Sequence, residues 1–349
     1  MLSTVAVDLA KSVFQLAVAN RVGRIVQRHR FSRAQFAAFL RAAAPAHVVM
    51  EACGTAHYWG RVAQQAGHRV TLLPPRYVRP YVRRDKSDRA DAEALLEAFR
   101  NPAIAPVPVK SVAQQELVAL HRIRDQWMAT RTARLNAMRG VLREHGLLLP
   151  AGAKRALCEL PLLLANANAP LPACLRHSLF ALYEEVRQLE ARVATLEKDL
   201  EKLAAPDPVA QRLQTIPGVG LLTATAVRGT VANIHSFRRA RQFASWLGLT
   251  SRERSSGNRR RLGAITKQGD TYLRYLLTHG ARAVLLAAQR AARAGRPLTH
   301  LQHWAVTLAE RSGHNRATIA VANKLARIIW AVWAREQPFA ARPALPAAA

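Results

Sequence analysis

The chain has 349 residues, half of them hydrophobic, with 52 Lys and Arg against 22 Asp and Glu and a formal charge of +30. That much apolar content can bury cores, which excludes a disordered basic tail. A positive field of this size draws polyanions, nucleic acid foremost.

From residue 1 to about 104 the sequence reads as α/β. "STVAVDLA", "VFQLAVAN" and "IVQRHRF" are apolar and β-branched, with short turns between them, one holding Gly23. They predict a three-stranded antiparallel meander. "RAQFAAFLRAA" has helical spacing, "AHVVMEA" reads as a buried strand, and "HYWGRVAQQAG" reads as a helix ending at Gly67. "HRVTLLP" is a last strand closed by Pro74 and Pro75. The order is β-β-β-α-β-α-β-α, with the final helix over residues 88–99.

A Pro-rich linker, "NPAIAPVPV", then opens a middle segment, 105–205. A basic helix is predicted over roughly 111–145. Residues 150–176, with four prolines, read as a loose connection. Leu182, Val186, Leu189, Val193, Leu196, Leu200 and Leu203 alternate spacings of four and three. That is a heptad seam over about 179–204, the pattern of a coiled coil. It predicts a homodimer through the seam, or else a helix packed within one chain. Residues 206–337 form a third segment, whose acids are Asp207, Glu253, Asp270, Glu310 and Glu336 against a much larger number of Lys and Arg. The end, 338–349, is of low complexity and reads as disordered.

No run of about eighteen apolar residues is present, so no membrane span or membrane partner is expected. The N-terminus carries Asp8 and reads as a strand, not a signal peptide. Cys53, Cys158 and Cys174 are odd in number and far apart, which fits neither a zinc site nor a disulfide framework. A reducing cytoplasm is the expected setting.

The acids are placed unevenly. Before Asp85 the chain has only Asp8 and Glu51, each ending an apolar strand. Asp85, Asp88, Asp91 and Glu93 then crowd into nine positions. If the first strand pairs with the fourth, Asp8 and Glu51 project side by side. Asp88 and Asp91 share a helix face. A helix docked at the sheet would bring all four together, where they would repel without a cation. Hard oxygen ligands select Mg²⁺ or Mn²⁺, and two such ions about 4 Å apart clamp an in-line phosphoryl transfer. Singly, Asp8 could be a strand-end ion pair, Asp88 an N-cap and Asp91 a first-turn acid. Asp85 and Glu93 read as surface charges.

Two stretches of the third segment suit phosphate. In "IPGVG", Gly218 and Gly220 would let backbone amides approach an anion beside a helix N-terminus, or simply make a turn. "RERSSGNRRR" joins Ser255 and Ser256 to Arg252, Arg254, Arg259, Arg260 and Arg261 around a flexible Gly257–Asn258 turn. Arginines grip phosphate in bidentate fashion, and a serine among them could attack a phosphodiester. Lys267 and Arg274 are phosphate or structural contacts.

"VAVDLAK", "VVMEACG" and "DKSDRADA" resemble the Asp-Glu-Asp-Asp set of the insertion-sequence-110 group of bacterial transposases, which includes its 1111 subgroup and the Piv DNA invertases. "LQTIPGVGLLTATAV" resembles the helix-hairpin-helix start of that group's transposase domain, and "FASWLGLTSRERSSGNRRRLGAITKQGDTYLRYLL" its signature segment. The resemblance covers most of the chain. Cys53 departs from it, standing where the group more often has Ser or Thr. It implies a RuvC-like first domain of the ribonuclease H fold over 1–104, a helical linker, and a mainly α C-terminal transposase domain. By position it puts the metal ligands on Asp8, Glu51, Asp88 and Asp91, and the nucleophile on Ser256. It implies Mg²⁺-dependent DNA strand exchange through a covalent phosphoserine, on donor and target DNA chosen by an element-encoded guide (bridge) RNA. A tetramer with sites shared between protomers is also implied. A hydrolytic or junction-resolving nuclease would use water instead of Ser256, and a non-catalytic binding protein would be expected to have lost one of the acids.

Overall fold

The computed structural model describes residues 3–82 and 88–341, and for residues 88–90 nothing beyond the backbone. Asp85 lies outside the described residues. The chain clusters into two compact units, Met1–Gln115 and Glu116–Ala349.

The first unit is built on a five-stranded sheet. β1 (Thr4–Leu9), β2 (Val13–Ala19) and β3 (Ile25–Ser32) form the antiparallel meander. β4 (His47–Glu51) pairs parallel with β1, and β5 (Arg69–Leu73) parallel with β4, giving the order β3-β2-β1-β4-β5. Parallel pairing needs crossovers, and helices supply them. α1 (Arg33–Ala42) enters through a capping box between Ser32 and Gln35. α2 (Ala56–Gln65) joins β4 to β5, and a short α3 (Pro75–Val78) follows β5. The last helix of the unit, α4, spans Asp88–Phe99.

The period-two pattern of the strands divides this core into two layers. Val5, Val7, Phe14, Leu16, Val48, Met50 and Leu72 pack with Phe36, Leu40, Trp59 and Ala63 of α1 and α2. Ala6, Ala17, Ala19, Val49 and Leu73 face the other way, against Ala92, Leu95, Leu96 and Ala98 of α4. The small side chains on that face let α4 lie close to the sheet. This mixed α/β unit is compatible with a RuvC-like fold, as the sequence led us to expect.

The second unit is helical. α5 (Val112–Glu144) and α7 (Ala173–Ala204) run antiparallel, tied by Arg124–Glu197 at 2.7 Å, Arg131–Glu190 at 2.6 Å and Arg134–Glu185 at 2.7 Å. Val186, Leu189, Val193, Leu196 and Leu200 of the heptad seam are all buried within the one chain. This is the within-chain packing that the heptads offered as the alternative to a homodimer. Residues 150–176 also depart from the expected loose connection. They hold α6 (Ala153–Ala165), whose Leu157, Leu160 and Leu164 pack on Leu135, Met138 and Leu142 of α5 and Leu179 of α7.

Beyond it come α8 (Pro208–Gln214), α9 (Leu221–Thr230) and α10 (Ala240–Trp246). A hairpin of β6 (Ser251–Glu253) and β7 (Leu262–Ile265) follows, then α11 (Thr271–Arg293), α12 (His300–Ser312) and α13 (His314–Ala334). α13 is long and apolar enough to cross a membrane on length and composition. Its apolar face, Val321, Leu325, Ile329 and Trp333 among it, sits instead in the core of this unit. The expected disorder after 337 does not begin there: Phe339 packs on that core and its N–H donates to Thr215 Oγ1 at 2.8 Å.

Candidate active site

In the first unit the register of β1 and β4 pairs Val7 with Met50, so Asp8 and Glu51 come next on adjacent parallel strands. Alternation puts each on the face of Ala6 and Val49, the face that α4 covers. α4 runs against the direction of these strands. At its C-terminal end Phe99 packs edge-on against His47 with centroids 4.6 Å apart, and Arg100 Nη2 donates to Gly23 O. His47 and Thr4 open β4 and β1, so the N-terminus of α4 falls at the strand ends that carry Asp8 and Glu51. Asp91 lies on the side of Leu95 and Ala98 that meets the sheet. It is half-buried, as are Asp8 and Glu51. Asp88 opens the helix, but its side chain is outside the described residues. Glu93 points away and pairs with Arg28 at 2.8 Å.

The α4 macrodipole is positive at this end and offsets part of the repulsion among carboxylates. The donors are carboxylate oxygens, the chemistry that suits Mg²⁺ or Mn²⁺. Among the described residues no three His, Cys, Asp or Glu side chains stand close enough to hold a metal ion. The Asp8, Glu51 and Asp91 carboxylates therefore share one end of the sheet without forming a closed set of ligands.

In the second unit the serine-arginine segment is not a flexible loop but a β-hairpin. Ser256 and Arg259 exchange both backbone hydrogen bonds, at 3.3 and 3.2 Å, across the two-residue Gly257–Asn258 turn. Gly257 has φ +55° while Asn258 is not left-handed, the pattern of a type II′ turn with glycine first. Arg254 N donates to Arg261 O at 2.9 Å, and Glu253 pairs with Leu262. This register sorts the side chains by face. Arg252, Arg254, Ser256, Arg259 and Arg261 project from one face, and Glu253, Ser255, Arg260 and Leu262 from the other. All are exposed.

The two serines are consequently not equivalent. Ser255 Oγ donates to Glu253 Oε1 at 2.8 Å and accepts from Arg261 N at 3.2 Å. Arg260 joins the same cluster, 3.4 Å from Glu253. Ser256 stands beside the turn on the arginine face, and among the described residues its hydroxyl has no hydrogen-bond partner.

The remaining predicted contacts divide between structure and surface. Gly218 (φ +81°) meets α11: a Cβ there would stand 2.6 Å from Gly280 O. Its glycine is required for helix packing rather than for an anion. Gly220 is exposed before α9, and among the described residues nothing lies within 4 Å of a Cβ there and no side chain caps the helix. Arg274 holds Leu247 O at 3.1 Å and Thr271 Oγ1 at 3.3 Å. Lys267 is exposed at φ +54°, with its N–H on Gly248 O.

Sequence reading missed His121. It is buried, with Nε2 2.9 Å from Thr225 Oγ1 and Nδ1 3.1 Å from Tyr272 Oη. Thr225 already donates to Leu221 O at 2.7 Å, so it accepts from Nε2–H and Tyr272 donates to Nδ1. Burial, with Arg124 nearby, lowers its pKa to about 4 and keeps the ring neutral. It is a structural anchor of α5 on α9 and α11. In the first unit burial likewise lowers the pKa of His57 to about 4, aided by Lys110 and Arg61.

A family model described as Transposase, of the IS110 DEDD type, matches residues 5–146, and one described as Transposase IS116/IS110/IS902 family matches 210–295. A probable family 20 transposase of Pseudomonas aeruginosa is 43% identical over 96% of this chain and 98% of its own length. The transposase for insertion sequence element IS1111A of Coxiella burnetii is 40% identical over 95% of this chain and 90% of its own. The transposase for element IS1328 of Yersinia enterocolitica is 34% identical over 94% and 96%. The protein is a transposase, an enzyme of DNA strand cleavage and transfer. Within that class the chain belongs to the IS110 family.

Proposed function

We propose that the protein cuts and rejoins DNA through a phosphoserine on Ser256, with a divalent ion held by Asp8, Glu51, Asp88 and Asp91. The observation that carries the serine assignment is the division of labour in the hairpin. Ser255 is occupied by Glu253 and Arg261 N, whereas among the described residues the Ser256 hydroxyl, on the arginine face, has no hydrogen-bond partner. Ser256 Oγ attacks the scissile phosphorus, the bond from phosphorus to a deoxyribose oxygen breaks, and that oxygen leaves as a hydroxyl. Arg252, Arg254, Arg259 and Arg261 stabilise the negative charge that builds on the phosphate. A hydroxyl on another DNA end then attacks the phosphoserine, forms the new phosphodiester and returns Ser256. One ester replaces another at each step, so no nucleotide hydrolysis is needed. An ion held by the four acids would polarise a phosphate oxygen. The acids supply hard ligands and, at the start of α4, a local field suited to them.

The serine step is tested by trapping. Protein incubated with element-end DNA and then denatured should carry a covalent DNA adduct. Ser256→Ala should lose it and Ser255→Ala should keep a measurable fraction. DNA cut without any adduct would favour the hydrolytic nuclease. An element-encoded guide RNA is the family-like reading of partner choice, and the charge of +30 supports a polyanionic partner. One discrete RNA co-purifying from cells that carry the element would support it, and random, salt-removable RNA would count against it.

A further inference from the structure

The inner face of the hairpin closes over a cleft of about 750 Å³ that the strand-cutting chemistry above does not use. Five cations among the described residues line it: Arg241 of α10, Arg260 of the β6–β7 hairpin, and Arg316, Lys324 and Arg327 of α13. Glu253 is its single acid among the described residues, and it is spoken for by Arg260 and Ser255. Among the described residues Arg241, Arg316, Lys324 and Arg327 are in no ion pair. Four unneutralised positive charges thus face one concavity.

The stripe on α13 is regular. Arg316, Ala320, Asn323, Lys324 and Arg327 fall on one side of the helix, while Ala317, Val321, Leu325 and Ala326 are in the core. Arg327 lies eleven positions after Arg316, so the cations span about 16 Å. At about 3.4 Å per nucleotide, that is the length of roughly five steps of a strand. Asn323 Nδ2 is held by Leu249 O at 3.0 Å, and Lys324 lies 5.8 Å above the Trp304 ring, so the wall is built rather than loose. The stripe also lies beyond residue 295, where the matched family stretch ends.

We propose that this cleft is a second nucleic-acid site, which grips a phosphodiester backbone without cutting it. Its occupant runs along α13 beneath the hairpin, while the outer face presents Ser256. The proposal rests on the protein's action on DNA and not on the serine assignment, since binding can be read without cleavage. A strand held on the inner face would fix the hairpin, and so the position of Ser256, relative to the rest of the substrate.

The test is the salt dependence of binding, measured separately for duplex DNA, single-stranded DNA and RNA. In the full-length protein, R316A/K324A/R327A should flatten the plot of log K against log salt by about two to three for the strand that occupies the cleft. The affected nucleic acid identifies the occupant. The comparison variant R282A/R290A/R293A, on α11, should flatten it less. A change below one for all three nucleic acids, or equal flattening by both variants, would overturn the proposal. A second measurement needs no variant. Saturating nucleic acid should slow acetylation of Lys324 severalfold in the wild-type protein, and an unchanged rate with all three would also overturn it.

Discussion

Gly218 and Gly280 meet backbone to backbone, and this contact reverses an ordinary rule. In a free helix Gly→Ala gains about 1 kcal/mol. Gly280 lies inside α11, yet a Cβ there would stand 2.0 Å from Gly218 O. Gly280→Ala should therefore destabilise the second unit by about 2 kcal/mol, as overpacking does. Urea unfolding followed by tryptophan fluorescence would report it, because Trp127, Trp246, Trp304, Trp330 and Trp333 are all in this unit. A gain in stability would show that the helices separate freely. The same probe reads His121. Its folded pKa is lowered to about 4, so between 6.5 and about 4 the unfolded chain takes up a proton that the folded chain refuses. Stability should fall as pH drops through that window and level off below it, by a total of roughly 3 kcal/mol. His121→Gln should flatten the profile, and an unaltered slope would assign the effect elsewhere.

At the scale of elements, the antiparallel α5–α7 pair favours the within-chain reading of the heptad seam. Its leucines are buried within the chain. Leu196→Asp should then lower the thermal midpoint sharply, with an unpaired charge in an apolar site. Sedimentation would show no dissociation that precedes unfolding. A folded protein of smaller assembly size would mean that the seam binds a second copy after all. The seam was legible as a pattern because heptads record a buried stripe, but they do not record what covers it. Strand order in the first unit was legible for a stronger reason. Period-two alternation and Pro74, Pro75 and Gly67 mark the element ends directly, and a parallel β1–β4 pair follows from the crossover helix. α6 was missed because Pro161 reads as a breaker, although Leu157, Leu160 and Leu164 carried the helical spacing. The hairpin was missed as a hairpin because arginine and serine carry little strand preference. Its turn signal, Gly257–Asn258, was visible. The sorting of Ser255 from Ser256 was not, since it depends on register.

Across the whole molecule, binding and cutting draw on very different amounts of charge. Affinity for nucleic acid comes from many cations spread over a chain with 52 Lys and Arg. Catalysis, on the reading above, depends on a few acids that a polyanion should otherwise avoid. Asp8 and Glu51 are the only acids before residue 85, and both stand where strands end under the N-terminus of α4. A carboxylate kept merely for folding would be expected to cost stability when removed. One kept for a metal would cost activity alone, because its removal relieves repulsion. Asp8→Asn changes the formal charge of +30 by a single unit and keeps the side chain's size. It should bind DNA with an affinity and salt slope close to those of the wild type, and melt at the same temperature or slightly above. Strand cleavage should nevertheless drop by about 10²–10³-fold or more. Gel-shift, melting and cleavage assays on one preparation would separate these effects. Loss of binding or a lower melting point together with lost cleavage would make Asp8 a structural residue, and the metal reading of the first unit would fall with it.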